Sequence, residues 1–308
     1  SETIFDLASL TKVVATTPVA MKQYEQDLLY LDKPVFDYIP DFTGGKKEAV
    51  TIRQLLSHTG GIKPYMRFWK NADNPEQVPE MIKNMKLAYE PGEEYHYSDP
   101  GYILLQQIIE MLGGASLDDL AARYFYRPLG MDNTMFNPDS SLLSRIAPTE
   151  YDSAWRNRLV RGEVHDENAA FLGGVAGHAG LFSTTGDLGR YAQMLLSNGY
   201  FNGRKYFEVG TINEFTTPQH IDPKSTRALG WDTPSGQNSL YGSMTSDEAF
   251  GHTGFTGTSM LIDPETRTII ILLTNRVYPT RKNNKIRQFR PKFHDAVMKA
   301  LNELKGEK

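Results

Sequence analysis

Apolar positions spaced near 3.6 residues predict a helix close to the start of the chain, from about Ser9 to Asp27. The periodic residues are Leu10, Val13, Val14, Ala20, Met21 and Tyr24. Pro18 lies inside this span and predicts a kink, because proline lacks the N–H group that a helix interior needs.

Helical periodicity also dominates the middle of the chain and its end. The predicted helices span 51–61, 79–86, 100–112, 117–124, 184–199 and 286–305. Between them, residues 137–180 form a long, polar, irregular segment. A segment of this kind inside a compact domain is more often functional than idle.

Strand patterns come late. Residues 249–263 and 266–275 are rich in β-formers, and the turn DPET between them predicts a hairpin. The expected fold is therefore α+β, with a helical region and an antiparallel sheet packed side by side. A lone hairpin does not make a stable sheet, so this pattern contains too few strands for the sheet it predicts.

Composition excludes several classes of function. The 308 residues include 33 Lys and Arg against 37 Asp and Glu, a formal charge of −4, so no broad basic field for nucleic acid is expected. The basic run 281–292 is interpreted as the solvated start of the last helix. There are no cysteines, which excludes thiolate catalysis and cysteine-bound zinc. No membrane span is expected, because no apolar run approaches 18 residues.

The stretch ASLTK places Ser9 and Lys12 one helical turn apart, so their side chains share a face. A serine hydroxyl needs a base to become a good nucleophile, and burial can make lysine such a base. The competing interpretation is a helix-capping serine beside a solvated lysine. Ser-x-x-Lys occurs about once by chance in a chain of this length, so the motif alone favours that competing interpretation.

Two further stretches bear polar groups suited to catalysis. In YHYSDPGY, Tyr97 could relay protons and Asp99 could hold a substrate group, although Asp99 before Pro100 also suits a helix N-cap. His-Thr-Gly occurs twice. His58 follows a helix and is interpreted as structural, whereas His252 lies on a Gly- and Thr-rich strand that a substrate could approach closely.

In combination, ASLTK, YSD and HTGFTG resemble the serine β-lactamase and penicillin-binding-protein superfamily. The similarity is greatest to the branch of class C β-lactamases, D,D-peptidases and esterases, and the segment VHDENAAFLGGVAGHAGLFS resembles penicillin-binding-protein-4B-like hydrolases. The resemblance covers essentially the whole chain. It implies a mainly antiparallel sheet with helices on both faces, beside an all-helical region, with the site between them.

The resemblance also implies residue roles. Ser9 would be the acylated nucleophile, Lys12 its base and Tyr97 the proton shuttle, with the backbone N–H groups of Ser9 and Phe255 forming an oxyanion hole. The substrate would be bound by Asp99, His252, Thr253, Gly254 and Asn168. No cofactor and no metal are implied, since His165, Asp166 and His178 lack a diagnostic metal spacing and are interpreted as loop packing.

Two residues depart from the family pattern. The third motif is HTG rather than KTG, so His252 replaces a lysine, a substitution that resembles D,D-peptidases and aminopeptidases more than efficient β-lactamases. Asp99 replaces an asparagine, and a carboxylate accepts hydrogen bonds where an amide can also donate them. The resulting hypothesis is that Asp99 selects a substrate amine or hydroxyl. Arg276, after the last strand, could bind a substrate carboxylate, but a surface salt bridge is the commoner arrangement.

The family places a helix and the first strands before Ser-x-x-Lys, whereas eight residues precede Ser9 here. We therefore expect a fragment, or one domain of a longer polypeptide, with residues 1–308 forming a single β-lactamase-like domain. Its helical region would span about 30–200, and its sheet region about 1–29 and 201–308. The resemblance implies a periplasmic or extracytoplasmic bacterial location and a small-molecule or peptide substrate.

Three functions remain open at this stage. The leading one is a serine hydrolase that works through an acyl-enzyme on D-amino-acid peptides or β-lactam-like amides. The second is a carboxylesterase for small acyl esters. The third is a catalytically weak binding or accessory domain of a larger protein, which the retention of Ser9, Lys12 and Tyr97 argues against.

Overall fold

The computed structural model describes residues 2–236 and 239–306. The α-helices are α1 (Thr17–Glu25), α2 (Ile52–Leu56), α3 (Phe68–Asn71), α4 (Val78–Lys83), α5 (Asp99–Gly113), α6 (Leu117–Ala121), α7 (Arg127–Leu129), α8 (Glu167–Phe171), α9 (Thr185–Leu196), α10 (Val209–Thr216) and α11 (Ile286–Gly306). The helices predicted from periodicity are present, with shifted ends. Thr51 begins α2 as predicted, because its side chain accepts from the Gln54 N–H in a capping box.

The strands are β1 (Phe5–Asp6), β2 (Met135–Phe136), β3 (Tyr151–Asp152), β4 (Arg158–Leu159), β5 (Leu181–Ser183), β6 (Tyr200–Phe201), β7 (Arg204–Lys205), β8 (Phe250–Thr253), β9 (Ser259–Asp263) and β10 (Thr268–Leu272). They form the antiparallel sheets β10-β9-β8 and β1-β5-β2 and the two-stranded pairs β3-β4 and β6-β7. The predicted strand 249–263 is thus two strands. A turn at 254–258 separates them, and Gly257 there has φ +106°, which an extended strand does not allow.

Strand β9 is buried on both faces, since all of its residues are buried. Met260 and Ile262 pack into the main hydrophobic core, while Leu261 packs into a separate cluster with Met298 of α11. Helix α9 contacts β9 and β10. Helices therefore cover both faces of this sheet, which gives the α+β architecture that the sequence predicts.

The segment after Ser9 is helical, but it is not one regular helix. A 3₁₀ turn at Ala8–Leu10 leads into a π-helical stretch at Lys12–Thr16 and then into α1. Pro18 lies in the first turn of α1, where its missing N–H is tolerated. The predicted kink at Pro18 is thus replaced by a change of helix type.

Two buried tyrosines complete the hydrogen bonding of this segment. Pro18 cannot donate to the carbonyls one turn earlier, so Tyr191 Oη donates to Val13 O at 2.7 Å and Tyr126 Oη donates to Val14 O at 3.1 Å. Burial raises the pKa of both phenols, which keeps them as donors.

Helix α5 begins with a cap that differs from the predicted one. Ser98, not Asp99, is the N-cap, and its Oγ accepts from the Gly101 N–H at 3.1 Å. Asp99 is the first helical residue, and Pro100 follows it. The carboxylate of Asp99 is consequently free to reach another partner.

We predict that Tyr126→Phe and Tyr191→Phe each lower the free energy of unfolding by about 1–2 kcal/mol, because a buried carbonyl loses its donor. Urea unfolding measures this effect. Tyr124→Phe is the matched control, since the Tyr124 hydroxyl makes an exposed contact with Arg123 and its loss should change little. Equal losses in all three variants would contradict this account of Val13 and Val14.

Candidate active site

Ser9 lies on a tight turn that directly follows β1. The preceding Ala8 has φ +47°, an uncommon conformation for a residue with a Cβ atom. The turn is held by the Asp6 carboxylate, which accepts from the Ala8 N–H at 2.8 Å, and by Thr11, whose hydroxyl donates to Ala8 O at 2.6 Å. Burial raises the pKa of Asp6, while the N–H groups of His165 and Ala8 lower it.

Lys12 is completely buried, and its ammonium group has three acceptors. Nζ lies 2.7 Å from Asp99 Oδ1, 3.1 Å from His178 O and 3.3 Å from Ser9 Oγ. The structure therefore brings Ser9, Lys12 and Asp99 together, although Asp99 is 87 residues from Lys12 in the sequence. A buried lysine is tolerated here because its charge is paired and each N–H can find an acceptor.

Tyr97 packs beside this group. Lys12 Nζ lies 4.6 Å from the centre of the Tyr97 ring. The Tyr97 hydroxyl is buried and has no hydrogen bond of standard geometry among the described residues, although Ser9 is close enough to lower its pKa. Burial and then the charge of Asp99 outweigh this effect and raise the pKa of Tyr97 well above its usual value.

His252 lies on β8 with its ring centre 5.9 Å from that of Tyr97. Its Nδ1 is 2.9 Å from Thr253 O, and its Nε2 is buried without a partner in the described part of the chain. Burial, followed by the charges of Arg227 and Lys12, lowers the pKa of His252 well below its usual value. The imidazole is therefore neutral at pH 7, unlike a lysine at this position.

His58, from the first His-Thr-Gly, packs against the ring of Tyr97. Its ring centre is 4.4 Å from that of Tyr97, and its Nδ1 accepts from the Ser98 N–H at 3.0 Å. Burial lowers its pKa well below the usual value, with Arg227 and Lys12 adding to the shift. These contacts agree with the structural role predicted for His58.

The turn between β8 and β9 is fastened to the strand before Ser9. Thr256 Oγ1 donates to Asp6 O at 2.8 Å and Thr258 Oγ1 donates to Leu7 O at 2.9 Å. A Cβ atom on Gly254 would collide with Leu7 O, so glycine permits this close approach. The backbone N–H of Phe255 in this turn has no acceptor among the residues described.

Arg276 fixes the same turn rather than binding a carboxylate. Its Nε donates to Phe255 O at 2.7 Å, and its guanidinium lies 4.3 Å from the centre of the Phe255 ring. Nη1 donates to Arg281 O and Asn283 O. Among the described residues, Arg276 forms no salt bridge, so the surface ion pair considered from the sequence is not found there.

The amide of Asn168 makes hydrogen bonds to the protein backbone. Asn168 is buried, its Oδ1 accepts from the Phe68 N–H at 2.9 Å, and its Nδ2 donates to Met66 O at 2.8 Å. The side chain therefore holds the segment leading into α3. The substrate contact expected of Asn168 stays a prediction, since its Nδ2 has a second N–H that could donate.

The irregular segment 137–180 contributes two acid–histidine pairs. His165 Nε2 lies 2.8 Å from Glu150 Oε2, and His178 Nε2 lies 2.9 Å from Asp166 Oδ1. Burial would raise the pKa of Asp166, but His178 outweighs it and lowers that pKa. Within 2–236 and 239–306, no three His, Asp or Glu side chains converge as metal ligands would. Both histidines pair with carboxylates around this segment, and the carbonyl of His178 also accepts from Lys12.

The basic run 281–292 is less solvated than the sequence interpretation assumed. Arg281 Nε lies 2.6 Å from Glu150 Oε2, and its Nη2 lies 2.7 Å from Glu167 Oε1. Arg290 is buried and donates to Thr258 O. The run therefore ties the last helix to the loops around the site.

Arg227 is a charged residue of the site region that the sequence analysis did not find. It is 6% exposed, and its Nη2 lies 2.9 Å from Tyr95 Oη and 3.0 Å from Asp232 Oδ1. Its guanidinium lies 5.5 Å from the centre of the Tyr97 ring. A single arginine before LGWDT gives no sequence signal for this contact, which depends on the tertiary fold.

Comparisons with known proteins agree with this architecture. A family model described as Beta-lactamase matches residues 1–292. A protein of Escherichia coli (strain K12) named "Putative D-alanyl-D-alanine carboxypeptidase" is 35% identical over 302 residues, which cover 89% of this chain and 69% of the relative. EstCE1, described as a hydrolase with promiscuous acyltransferase activity, has a similar structure, with TM-score 0.70 and 21% identity over 93% of this chain and 84% of its own. A penicillin-binding-protein homologue from Caulobacter crescentus also has a similar structure, with TM-score 0.69 and 22% identity. The match covers 87% of this chain and 76% of the homologue.

The chain belongs to the Beta-lactamase family, so the resemblance inferred from its motifs is confirmed. Its fold is of the β-lactamase/transpeptidase type, and its relatives place it among the serine hydrolases of that superfamily. In the described part of the chain, no helix combines the length and apolarity needed to cross a bilayer.

The Glu150 pair predicts how stability depends on acid. Burial would raise the pKa of Glu150, but hydrogen bonds from His165 and Arg281 outweigh it and lower the pKa to about 2. A lowered folded-state pKa stabilises the protein above the unfolded value of about 4.3 and loses that effect as pH falls towards 2. Glu150→Gln should therefore flatten the fall of unfolding free energy between about pH 5 and 2. Glu303→Gln, at an exposed position, should leave the slope unchanged; parallel curves for all three proteins would refute the assignment.

Proposed function

We propose that the protein is a serine hydrolase that acts through an acyl-enzyme on Ser9. The observation that supports this most directly is the 3.3 Å contact between Lys12 Nζ and Ser9 Oγ at the end of a fully buried lysine. Tyr97 lies beside both groups, so a nucleophile and two groups able to move its proton share one site.

In the reacting form of the proposed first half-reaction, Lys12 is the neutral amine and Tyr97 the neutral phenol. Ser9 Oγ attacks the carbonyl carbon of the substrate, and its proton passes to Nζ of Lys12 in the Lys12–Tyr97 pair. The negative charge that develops on the carbonyl oxygen is stabilised by the N–H groups of Ser9 and Phe255. The leaving amine or alcohol then takes the proton from the pair, and the acyl group remains as an ester of Ser9.

In the second half-reaction, water donates a proton to the same pair and attacks the ester. Collapse of the intermediate breaks the bond to Ser9 Oγ, which recovers its proton, and releases the carboxylic acid product. The neutral phenol of Tyr97, whose pKa is raised by burial, suits the acid role of the pair. Asp99, 2.7 Å from Lys12 Nζ, holds the Lys12 side chain in position.

The proposed substrates are D-amino-acid peptides or β-lactam-like amides, and the name of the E. coli relative supports the peptide class. A carboxylesterase for small acyl esters is the second candidate. The neutral His252 favours it, because an uncharged imidazole attracts a substrate carboxylate less than a lysine would. The bacterial relatives also support an extracytoplasmic location.

We expect a fluorophosphonate or labelled penicillin to modify Ser9, as mapped by mass spectrometry of the digested protein. Ser9→Ala should lose the label completely, whereas Ser141→Ala, at an exposed serine, should retain it. Lys12→Met should slow labelling by at least about 100-fold, because general-base assistance is worth 10²–10⁴. A label that survives in Ser9→Ala would exclude Ser9 as the nucleophile, whereas absence of label on the wild-type protein would favour the accessory-domain function.

Rates on three substrate types should separate the two enzymatic candidates. The panel contains p-nitrophenyl esters, nitrocefin and a D-Ala-D-Ala peptide, each assayed by kcat/KM. Peptide turnover above ester turnover supports the peptidase. Ester turnover alone, unaffected by a free carboxylate on the substrate, supports the carboxylesterase and contradicts the leading proposal.

A further inference from the structure

We propose that Arg227 is a positioning residue of the reaction: its buried guanidinium holds the Tyr97 ring and supplies the positive charge that Asp99 removes from Lys12. This inference rests on the proposed acyl-transfer function. It concerns a residue that makes no contact with Ser9 in the described structure and that acts through Tyr97.

The first step of the argument is the charge balance around Tyr97. Lys12 lies 4.6 Å from the ring centre, but its ammonium is paired with Asp99 at 2.7 Å. An ion pair this close presents little net charge to a neighbouring phenol. An asparagine at position 99 would leave the charge of Lys12 unpaired, so the carboxylate of Asp99 creates a need for a second cation.

The second step is that Arg227 occupies a place from which it can meet that need. Its guanidinium is 5.5 Å from the centre of the Tyr97 ring and 5.5 Å from that of Tyr95. Two of its nitrogens, Nε and Nη1, are buried without a hydrogen-bond partner among the described residues. The guanidinium instead packs against the rings of Tyr95 and Tyr97. Leaving donors of a cation unpaired is costly, which argues for a use beyond simple packing.

The third step concerns Asp232, the carboxylate that pairs with Arg227. Asp232 Oδ1 lies 3.0 Å from Nη2 of Arg227. Arg227 lowers the pKa of Tyr97, whereas Asp232 is not among the main causes of the Tyr97 shift. Burial alone would lower the pKa of Arg227, but Asp232 and Tyr95 outweigh it and keep the guanidinium charged. Asp232 therefore anchors the cation without cancelling its effect on Tyr97.

The remaining groups near Tyr97 do not replace this charge. His58, from the loop after α2, and His252, from β8, both have pKa values lowered well below the usual range and are neutral. The Tyr95 hydroxyl brings no positive charge and accepts a hydrogen bond from Arg227. The charge of Arg290, from α11, lowers the pKa values of Asp232 and His252, but it is not among the main causes of the Tyr97 pKa shift. Asp99 raises the pKa of Tyr97 and Arg227 lowers it.

The test is the pH profile of kcat/KM in four proteins: wild type, Arg227→Met, Arg227→Lys and Asp99→Asn. Tyr97→Phe identifies the limb that the Tyr97 proton sets, because this limb disappears. Arg227→Met should move that limb to higher pH by about one unit or more, since it removes a unit charge near 5.5 Å. Arg227→Lys should move it less, and Asp99→Asn should move it to lower pH.

The double variant Asp99→Asn/Arg227→Met tests the compensation itself. If Arg227 offsets Asp99, the loss caused by Arg227→Met should be at least about 5-fold smaller in the Asp99→Asn background. Equal losses in both backgrounds, or a limb that stays in place in Arg227→Met, would overturn the proposal.

Two controls separate this effect from loss of folding. Arg227→Met/Asp232→Asn removes both partners of the pair, so no buried carboxylate is left unpaired, and the limb must still move to higher pH. Arg156→Met breaks another buried arginine pair, with Asp152, and should cost stability without moving the limb. Labelling of Ser9 is measured in parallel: absence of label in the wild type refutes the proposed function, whereas labelling with an unmoved limb refutes only the role of Arg227.

Discussion

The buried ammonium group of Lys12 is the interaction on which the site depends. Its three acceptors come from the turn before it, from the start of α5 and from the long segment 137–180. An unpaired cation in this position would cost several kcal/mol, so the three parts of the chain are held to one geometry. The placement of Ser9 against Tyr97 is a consequence of satisfying that one charge.

A second set of contacts joins the sheet to this helical group. The hydroxyls of Thr256 and Thr258 bind the carbonyls of Asp6 and Leu7, on the strand that delivers Ser9. Arg276 holds the same turn from its other end through Phe255 O. The sheet therefore contributes a fastened turn to the site, whereas the helical segments contribute Lys12 and Tyr97, the groups proposed to transfer protons.

The sequence could predict the residues whose chemistry is local. Ser9 and Lys12 share a helical face, and Tyr97 precedes a clear helix start, so their motifs depend only on short-range spacing. Three predictions are wrong: the kink at Pro18, the cap of α5 and the unbroken strand 249–263. Each of these features is decided by a neighbour distant in sequence. Tyr126 and Tyr191 supply the hydrogen bonds that Pro18 cannot donate. Lys12 forms an ion pair with Asp99, and the close carbonyl of Leu7 requires glycine at position 254. The contacts of Asn168 and Arg227 could not be predicted from local sequence patterns. Their partners are backbone groups and rings about 100 or more residues away.

The two tyrosine hydroxyls that bind the carbonyls of the π-helical stretch also link the formation of the site to the folding of the rest of the chain. They reach Val13 and Val14 from 178 and 112 residues further along the chain. Until those later segments have docked, the carbonyls beside Pro18 lack their donors, and the short helix around Lys12 is too brief to be stable alone. The geometry of the proposed nucleophile thus depends on cooperative folding of distant segments, and a partly folded chain that exposes Ser9 would hold an ordinary, unreactive serine.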